Sequence, residues 1–98
     1  MIIQLKIKPP VDVILGLSKT PQGVNVDIEI SSVTNLISLF EELAKTYPGF
    51  HRLTQPTDDL YNNLLIAIDD EFVLDPIQDQ VRIHDRSTVF MIVRYQGG

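Results

Sequence analysis

With 98 residues, 44% of them hydrophobic and 21% charged, the chain holds apolar material for one core between two layers and not for two domains. Thirteen acidic residues against eight basic ones leave a net charge of −5. That balance argues against a nucleic-acid partner, which needs a basic stripe to displace counterions, and against adsorption to anionic membranes. Cysteine is absent, which excludes a disulfide, a thiolate zinc site, a thiol nucleophile and a persulfide carried by the chain itself. Tryptophan is absent too, leaving three Tyr and four Phe for any stacking. The opening Met1-Ile2-Ile3-Gln4-Leu5-Lys6 is too short and interrupted for a signal peptide. No stretch approaches the roughly 18 apolar residues of a membrane span. A cytoplasmic protein is expected.

Met1 to Lys8 alternates, with Ile3, Leu5 and Ile7 on one face and Gln4, Lys6 and Lys8 on the other. This predicts a half-buried strand ended by Pro9-Pro10. Val11 to Leu17 is apolar and fits either a continuation of that strand or a short helical turn. Ser18 to Gly23 reads as a loop from its Pro and Gly. Val24, Val26, Ile28 and Ile30 then alternate with Asn25, Asp27 and Glu29, predicting a second strand, antiparallel to the first, with its aliphatic residues inward. Ser31-Ser32 offers a helix N-cap. After it Val33, Leu36, Ile37, Phe40, Leu43, Ala44 and Tyr47 recur at helical spacing, so one helix is expected as far as Pro48-Gly49. Phe50 to Asn63 reads as a loop with room for one helical turn. Leu64 to Ile68 and Phe72 to Leu74 form short strands around an Asp69-Asp70 turn. Pro76 to Arg86 is polar and turn-rich. Thr88 to Tyr95 is a strand with apolar residues on both faces, followed by Gln96-Gly97-Gly98.

The order is β-β-α-β-β-β, with one long amphipathic helix. It fits an α+β fold of the β-grasp type, a mixed sheet of about five strands folded around that helix, with the last strand central and parallel to the first. The domain is expected over residues 1–94, with residues 95–98 as a diglycine tail.

Three segments in succession resemble the sulfur-carrier branch of the ubiquitin-like proteins, the MoaD/ThiS type, which includes the molybdopterin-synthase small subunit and the thiamine-biosynthesis sulfur carrier. The helix, from Ser32-Val33-Thr34-Asn35-Leu36-Ile37 to Leu43-Ala44-Lys45-Thr46-Tyr47-Pro48, resembles the family's Thr-Val-x-x-Leu-Leu opening and Tyr-Pro ending. The hairpin Ile66-Ala67-Ile68-Asp69-Asp70-Glu71-Phe72-Val73 resembles its strand, Asn-Gly-Glu turn and second strand. Ile83-His84-Asp85-Arg86-Ser87-Thr88-Val89 resembles Leu-x-Asp-Gly-Asp-x-Val, leading to the last strand and the diglycine end. Asp69-Asp70 stands in place of Asn-Gly, and Arg86-Ser87 in place of Gly-Asp. The helix is expected to be about a turn longer than the family's. Val93-Arg94-Tyr95-Gln96 precedes the diglycine where the molybdopterin-synthase subunit has a proline pair.

The resemblance implies a carrier and not an enzyme. The terminal carboxylate of Gly98 would be adenylated by an E1-like enzyme and converted to a thiocarboxylate. ATP and a sulfur donor would be used by partners, and a larger synthase subunit is a further partner the family implies. No bound cofactor or metal is expected. The residues agree with this chemistry: Gly97-Gly98 has no side chains to obstruct passage into a narrow active-site channel. Along the last strand, Val89, Met91 and Val93 are expected to face the helix. Phe90, Ile92 and Arg94 then face the other side and, with Tyr95 and Gln96, form a partner surface, Phe90 and Ile92 being its exposed apolar patch. Arg94 would suit an acidic groove on a partner. The same tail also suits a ubiquitin-like modifier joined to lysines, and the same face a β-grasp interaction module whose tail does no chemistry. His51 and His84 lack ligand spacing, and Asp58-Asp59 and Asp69-Asp70-Glu71 read as turn and surface residues. Ser18-Lys19-Thr20 lacks the glycines of a phosphate loop.

Overall fold

The alternation at the N-terminus becomes strand β1 (Ile2–Ile7), in which Ile3, Leu5 and Ile7 are buried and Ile2, Gln4 and Lys6 half-buried. The computed structural model of the chain describes residues 1–17, 23–73 and 81–94. β1 pairs antiparallel with β2 (Val24–Glu29), Ile3 opposite Ile28 and Ile7 opposite Val24. On its other side it pairs parallel with β5 (Thr88–Val93), from Gln4 opposite Thr88 to Ile7 opposite Met91. β3 (Leu64–Ile68) lies antiparallel to β5 and forms a hairpin with β4 (Glu71–Val73). The sheet order is β2-β1-β5-β3-β4, so the last strand is central, as expected. Residues 18–22 of the predicted loop Ser18 to Gly23, Leu74 of the predicted second hairpin strand, residues 75–80, which take in the start of the polar stretch Pro76 to Arg86, and the tail 95–98 lie outside the described residues.

Val26 departs from the expected inward row and is 43% exposed. It lies opposite Leu5, on the core side, but β2 is the outermost strand and Val26 sits at the open margin of the core. The ambiguous segment after Pro10 is a helical turn, α1 (Val11–Ile14), with Val11 and Leu15 buried.

The main helix is shorter than the stripe predicts. α2 (Leu36–Ala44) has nine residues and is capped by Asn35, not by Ser31-Ser32. The Asn35 Oδ1 accepts from the Ser38 N–H at 2.8 Å, filling one of the orphan donors of the first turn. Residues before Asn35 stay outside the helix because the chain is used there as backbone partner: Asn35 bridges Arg82, and the Ile83 N–H donates to the Thr34 carbonyl. At the other end, Pro48 disfavours a helical conformation at Tyr47, which adopts φ −123° and ψ 89°. Val33 and Tyr47 therefore pack on the core from outside the helix, and Leu39, absent from the predicted stripe, is fully buried. Replacing Asn35 with alanine is expected to cost about 1 kcal/mol, read as a lower urea midpoint at unchanged slope.

Phe50 to Asn63 holds the one helical turn expected of it and, before that turn, a second helical piece that the sequence pattern does not show. A 3-10 helix (Pro48–Thr54) follows α2 after three residues, and a further turn, α3 (Asp59–Asn62), precedes β3. Phe50, Leu53 and Leu60 are buried in the same core as Ile3, Leu5, Leu36, Phe40, Val89 and Met91. Between the two helical pieces the Arg52 Nε donates to both Asp58 oxygens, at 3.1 and 3.0 Å, while Asp58 Oδ1 caps α3 by accepting from the Leu60 N–H. The hydrogen bond from Arg52 holds the Asp58 carboxyl below the usual range, and Asp58 in turn raises Arg52. With the folded pKa depressed, the clasp contributes above the unfolded carboxylate range and is lost as pH falls through the folded value.

The turn of the β3–β4 hairpin has left-handed backbone at both central residues, Asp69 (φ 50°) and Asp70 (φ 72°), the form that matches strand twist. Aspartate tolerates that conformation, and here Asp69 has a second task. Its carboxylate accepts from the Ser87 hydroxyl at 3.0 Å and the Thr88 N–H at 2.8 Å, tying the turn to the start of β5. Arg86 also has positive φ (71°), so the turn keeps its left-handed position without the glycine of the resembled motif.

Candidate partner-binding face and chain exit

The core residues occupy one face of the sheet, so the alternate residues of β1, β5, β3 and β4 share the other. Register places Lys6 opposite Phe90, Phe90 opposite Ala67, and Ala67 opposite Phe72, a single row across four strands. One step along, Ile92 lies opposite Leu65. Val89 and Met91 point into the core and are fully buried, as expected, while Val93 is half-buried.

Phe90 and Ile92 do lie on the open face, but both are half-buried instead of exposed. Neighbouring strands flank them on both sides, since β5 is central. The exposed apolar side chain of this face is Phe72, at 67%, on the edge strand β4. Between these strands runs a groove of about 620 Å³, lined among others by Lys6, Lys8, Phe72, Phe90, Thr88 and Asp70. The sequence pattern places Lys6 and Lys8 on the outward face of the first strand and Phe72 in the hairpin, but does not join them to the partner surface. The signal was present for Phe72 in the hairpin register, which puts it opposite Ala67 and out of phase with buried Val73.

The backbone fixes where the chain leaves the sheet. The Arg94 N–H donates to the Asn63 carbonyl at 2.6 Å, and the Lys8 N–H to the Met91 carbonyl at 2.9 Å. Arg94 is exposed and thus leaves between the end of β1 and the start of β3, at the Ile92 end of the open face. Tyr95, Gln96, Gly97 and Gly98 lie outside the described residues.

His51 and His84 are both exposed and differ in role: the His51 ring lies 3.4 Å from the Gln55 side-chain amide, and His84 contributes its backbone to the turn before β5. Among the described residues no group of three or more His, Asp or Glu could hold a metal ion, and no helix is long and apolar enough to cross a membrane.

No family model matches the chain, and no curated protein matches it in sequence. Solved structures do. SAMP1 from Haloferax volcanii superimposes with a TM-score of 0.67 over 100% of both chains, at 11% identity. CysO from Mycobacterium tuberculosis gives 0.65 at 21% identity, over 95% of this chain and 99% of its own. At such identities the likeness is one of fold, and it extends over essentially the whole of each chain. The chain has the ubiquitin-like β-grasp fold.

Proposed function

We propose that this chain is a sulfur-carrier protein whose Gly98 carboxylate is the reacting group. In that chemistry the carboxylate oxygen attacks the α-phosphate of ATP in the active site of an E1-like enzyme, releasing pyrophosphate and leaving an acyl-adenylate. A sulfide supplied by a donor then attacks the acyl carbon and expels AMP, giving a thiocarboxylate that passes its sulfur to an acceptor in the molybdopterin, thiamine or a related pathway. The chain contributes no thiol and no phosphate loop, so activation and sulfur both come from partners, and it is a substrate and not an enzyme.

The observation that carries this reading is the placement of the chain's exit. β5 is the central strand, anchored on both sides, and it delivers Arg94 to the edge of a partly apolar face from a rigid base. A tail of Tyr95-Gln96-Gly97-Gly98 attached there can enter a partner's channel while the face docks outside it. The fold shared with SAMP1 and CysO is in keeping with this.

The test is mass spectrometry of the C-terminal tryptic peptide, Tyr95 to Gly98, after incubation of the chain with an E1-like enzyme, ATP and a sulfur donor. An oxygen-to-sulfur exchange at Gly98 is expected. The peptide contains no methionine, so oxidation cannot imitate the exchange. Deleting Gly98 should abolish adenylation and leave thermal unfolding unchanged. A Gly98 that stays a plain carboxylate throughout, or that is found instead in isopeptide linkage to lysine, overturns the proposal.

A further inference from the structure

The sheet ends at β2, and the hydrogen-bond phase of β1 and β2 decides what that end presents. The Met1 ammonium donates to the Ile30 carbonyl and the Ile30 N–H to the Met1 carbonyl, both at 2.9 Å. In an antiparallel ladder such doubly bonded pairs alternate with unbonded ones, so the pairs Ile3–Ile28, Leu5–Val26 and Ile7–Val24 carry the bonds. The N–H and C=O groups of Asn25, Asp27 and Glu29 therefore point away from β1 to the open edge, and no partner for them lies among the described residues. All three residues are exposed, with their side chains on the open face. On the core side of the same edge stand Val26, 43% exposed, and half-buried Ile28. Among the described residues Asp27 and Glu29 take part in no ion pair. β2 carries no proline and no lysine, the usual guards of an edge.

From this arrangement we infer that the β2 edge takes up an extended segment of another protein as a further strand, one in which basic and apolar residues alternate. Each feature of the edge selects part of that occupant. Free backbone groups on every second residue are matched by a strand and not by a helix. Residues directly opposite across a sheet share a face, so those set against Asp27 and Glu29 lie beside carboxylates, and those set against Val26 and Ile28 lie at the margin of the core. A basic side chain in the first places and an aliphatic one in the second satisfies both. A second copy of the chain does not fit. Antiparallel self-pairing centred on Asp27 sets that carboxylate against itself, and pairing centred on Ile28 sets Asp27 against Glu29, and like charges directly opposite are destabilising. The acids thus bar self-association and leave the edge open to the opposite charge. β1 separates β2 from β5, so an occupant here leaves the chain exit free, and nothing at Gly98 enters into the pairing.

The experiment is a titration of the isotope-labelled full chain with a capped peptide of alternating lysine and valine, followed by amide NMR at low and high salt. Saturable shifts are expected at Asn25, Asp27 and Glu29, with slowed exchange of the same amide protons and weaker binding at high salt. The corresponding peptide of glutamate and valine should not bind, and one of lysine and serine should bind more weakly. Asp27→Lys/Glu29→Lys should weaken binding of the lysine–valine peptide by about tenfold or more and create binding of the glutamate–valine peptide. Asp27→Pro separates backbone from charge. The N–H it removes faces outward, so the β1–β2 ladder is kept, and its affinity should fall below that of Asp27→Asn. Thermal unfolding shows which variants are folded, and the charge reversal carries the test if the proline variant does not fold. Absence of saturable shifts, shifts confined to residues outside β2, or equal affinity for the lysine and glutamate peptides overturns the inference and leaves the carrier function standing. A dimer in sedimentation that Asp27→Pro abolishes would give the edge to a second copy and overturn it as well.

Discussion

Replacing Phe50 with alanine is expected to destabilise the fold by about 3–5 kcal/mol, a large part of the whole stability of a domain this size. Phe50 is fully buried, its ring centroid 6.1 Å from that of Phe40 on α2 and 6.4 Å from that of Tyr47. The space around it cannot close easily. At the preceding residue, Gly49, an added Cβ would lie 2.8 Å from the Leu15 Cα and 2.9 Å from the Leu15 carbonyl oxygen, so the 3-10 helix already rests on the backbone that follows α1. Removing the ring leaves a cavity between elements that are in backbone contact, which is the condition for a cost at the upper end of the range. Urea unfolding followed by circular dichroism measures it, and Phe50→Leu should recover about half the loss. A cost below about 1 kcal/mol would mean that the segment behaves as a surface loop.

That segment also shows where sequence reading stops. The strands were legible because period-two alternation survives any local competition: Ile3, Leu5 and Ile7 could only be one face. The hairpin was legible from two aspartates between apolar runs, and the position of β5 from its two-sided apolar character. Phe50, Leu53 and Leu60 were not legible as core. The first two stand three residues apart, the period of a 3-10 helix, but Pro48, Gly49, Pro56 and Asp58 interrupt any longer pattern, and a single turn leaves no periodic trace. The start of α2 is hidden from the sequence for a related reason. Ser31-Ser32 and Asn35 are all good caps, and the choice between them is made by the bridge from Asn35 to Arg82, a contact 47 positions away in the chain. On the open face, Phe90 and Ile92 followed from strand phase alone. The groove did not, because Lys6, Phe90 and Phe72 become neighbours only through a crossover that puts β5 between β1 and β3.

Asp12→Ala should act in the opposite direction and stabilise the fold by about 1–3 kcal/mol. Asp12 is the second residue of α1, is fully buried, and neither carboxylate oxygen has a hydrogen-bond partner among the described residues. A buried polar group without a partner carries its full desolvation cost. The usual compensation for an acid in a first helical turn, attraction to the helix dipole, is weak in a helix of four residues. Alanine removes the orphaned oxygens and suits a helix; asparagine keeps two polar atoms in need of partners, so Asp12→Asn should recover less. Urea midpoints at constant slope decide the sign. A loss of stability on Asp12→Ala would mean that the carboxyl is satisfied in solution, by a buried water in the first instance. The position gives the result a bearing on function. α1 packs against β5, the strand that leads to the chain exit, and it exposes Val13 at 65% and Ile14 at 40%. Stability forgone beside the exit is the pattern expected where a partner's approach supplies what the isolated domain lacks. An Asp12→Ala chain that is more stable and a poorer substrate for adenylation would put that carboxyl in the docking step, whereas one that is more stable and equally active would leave it a purely local strain.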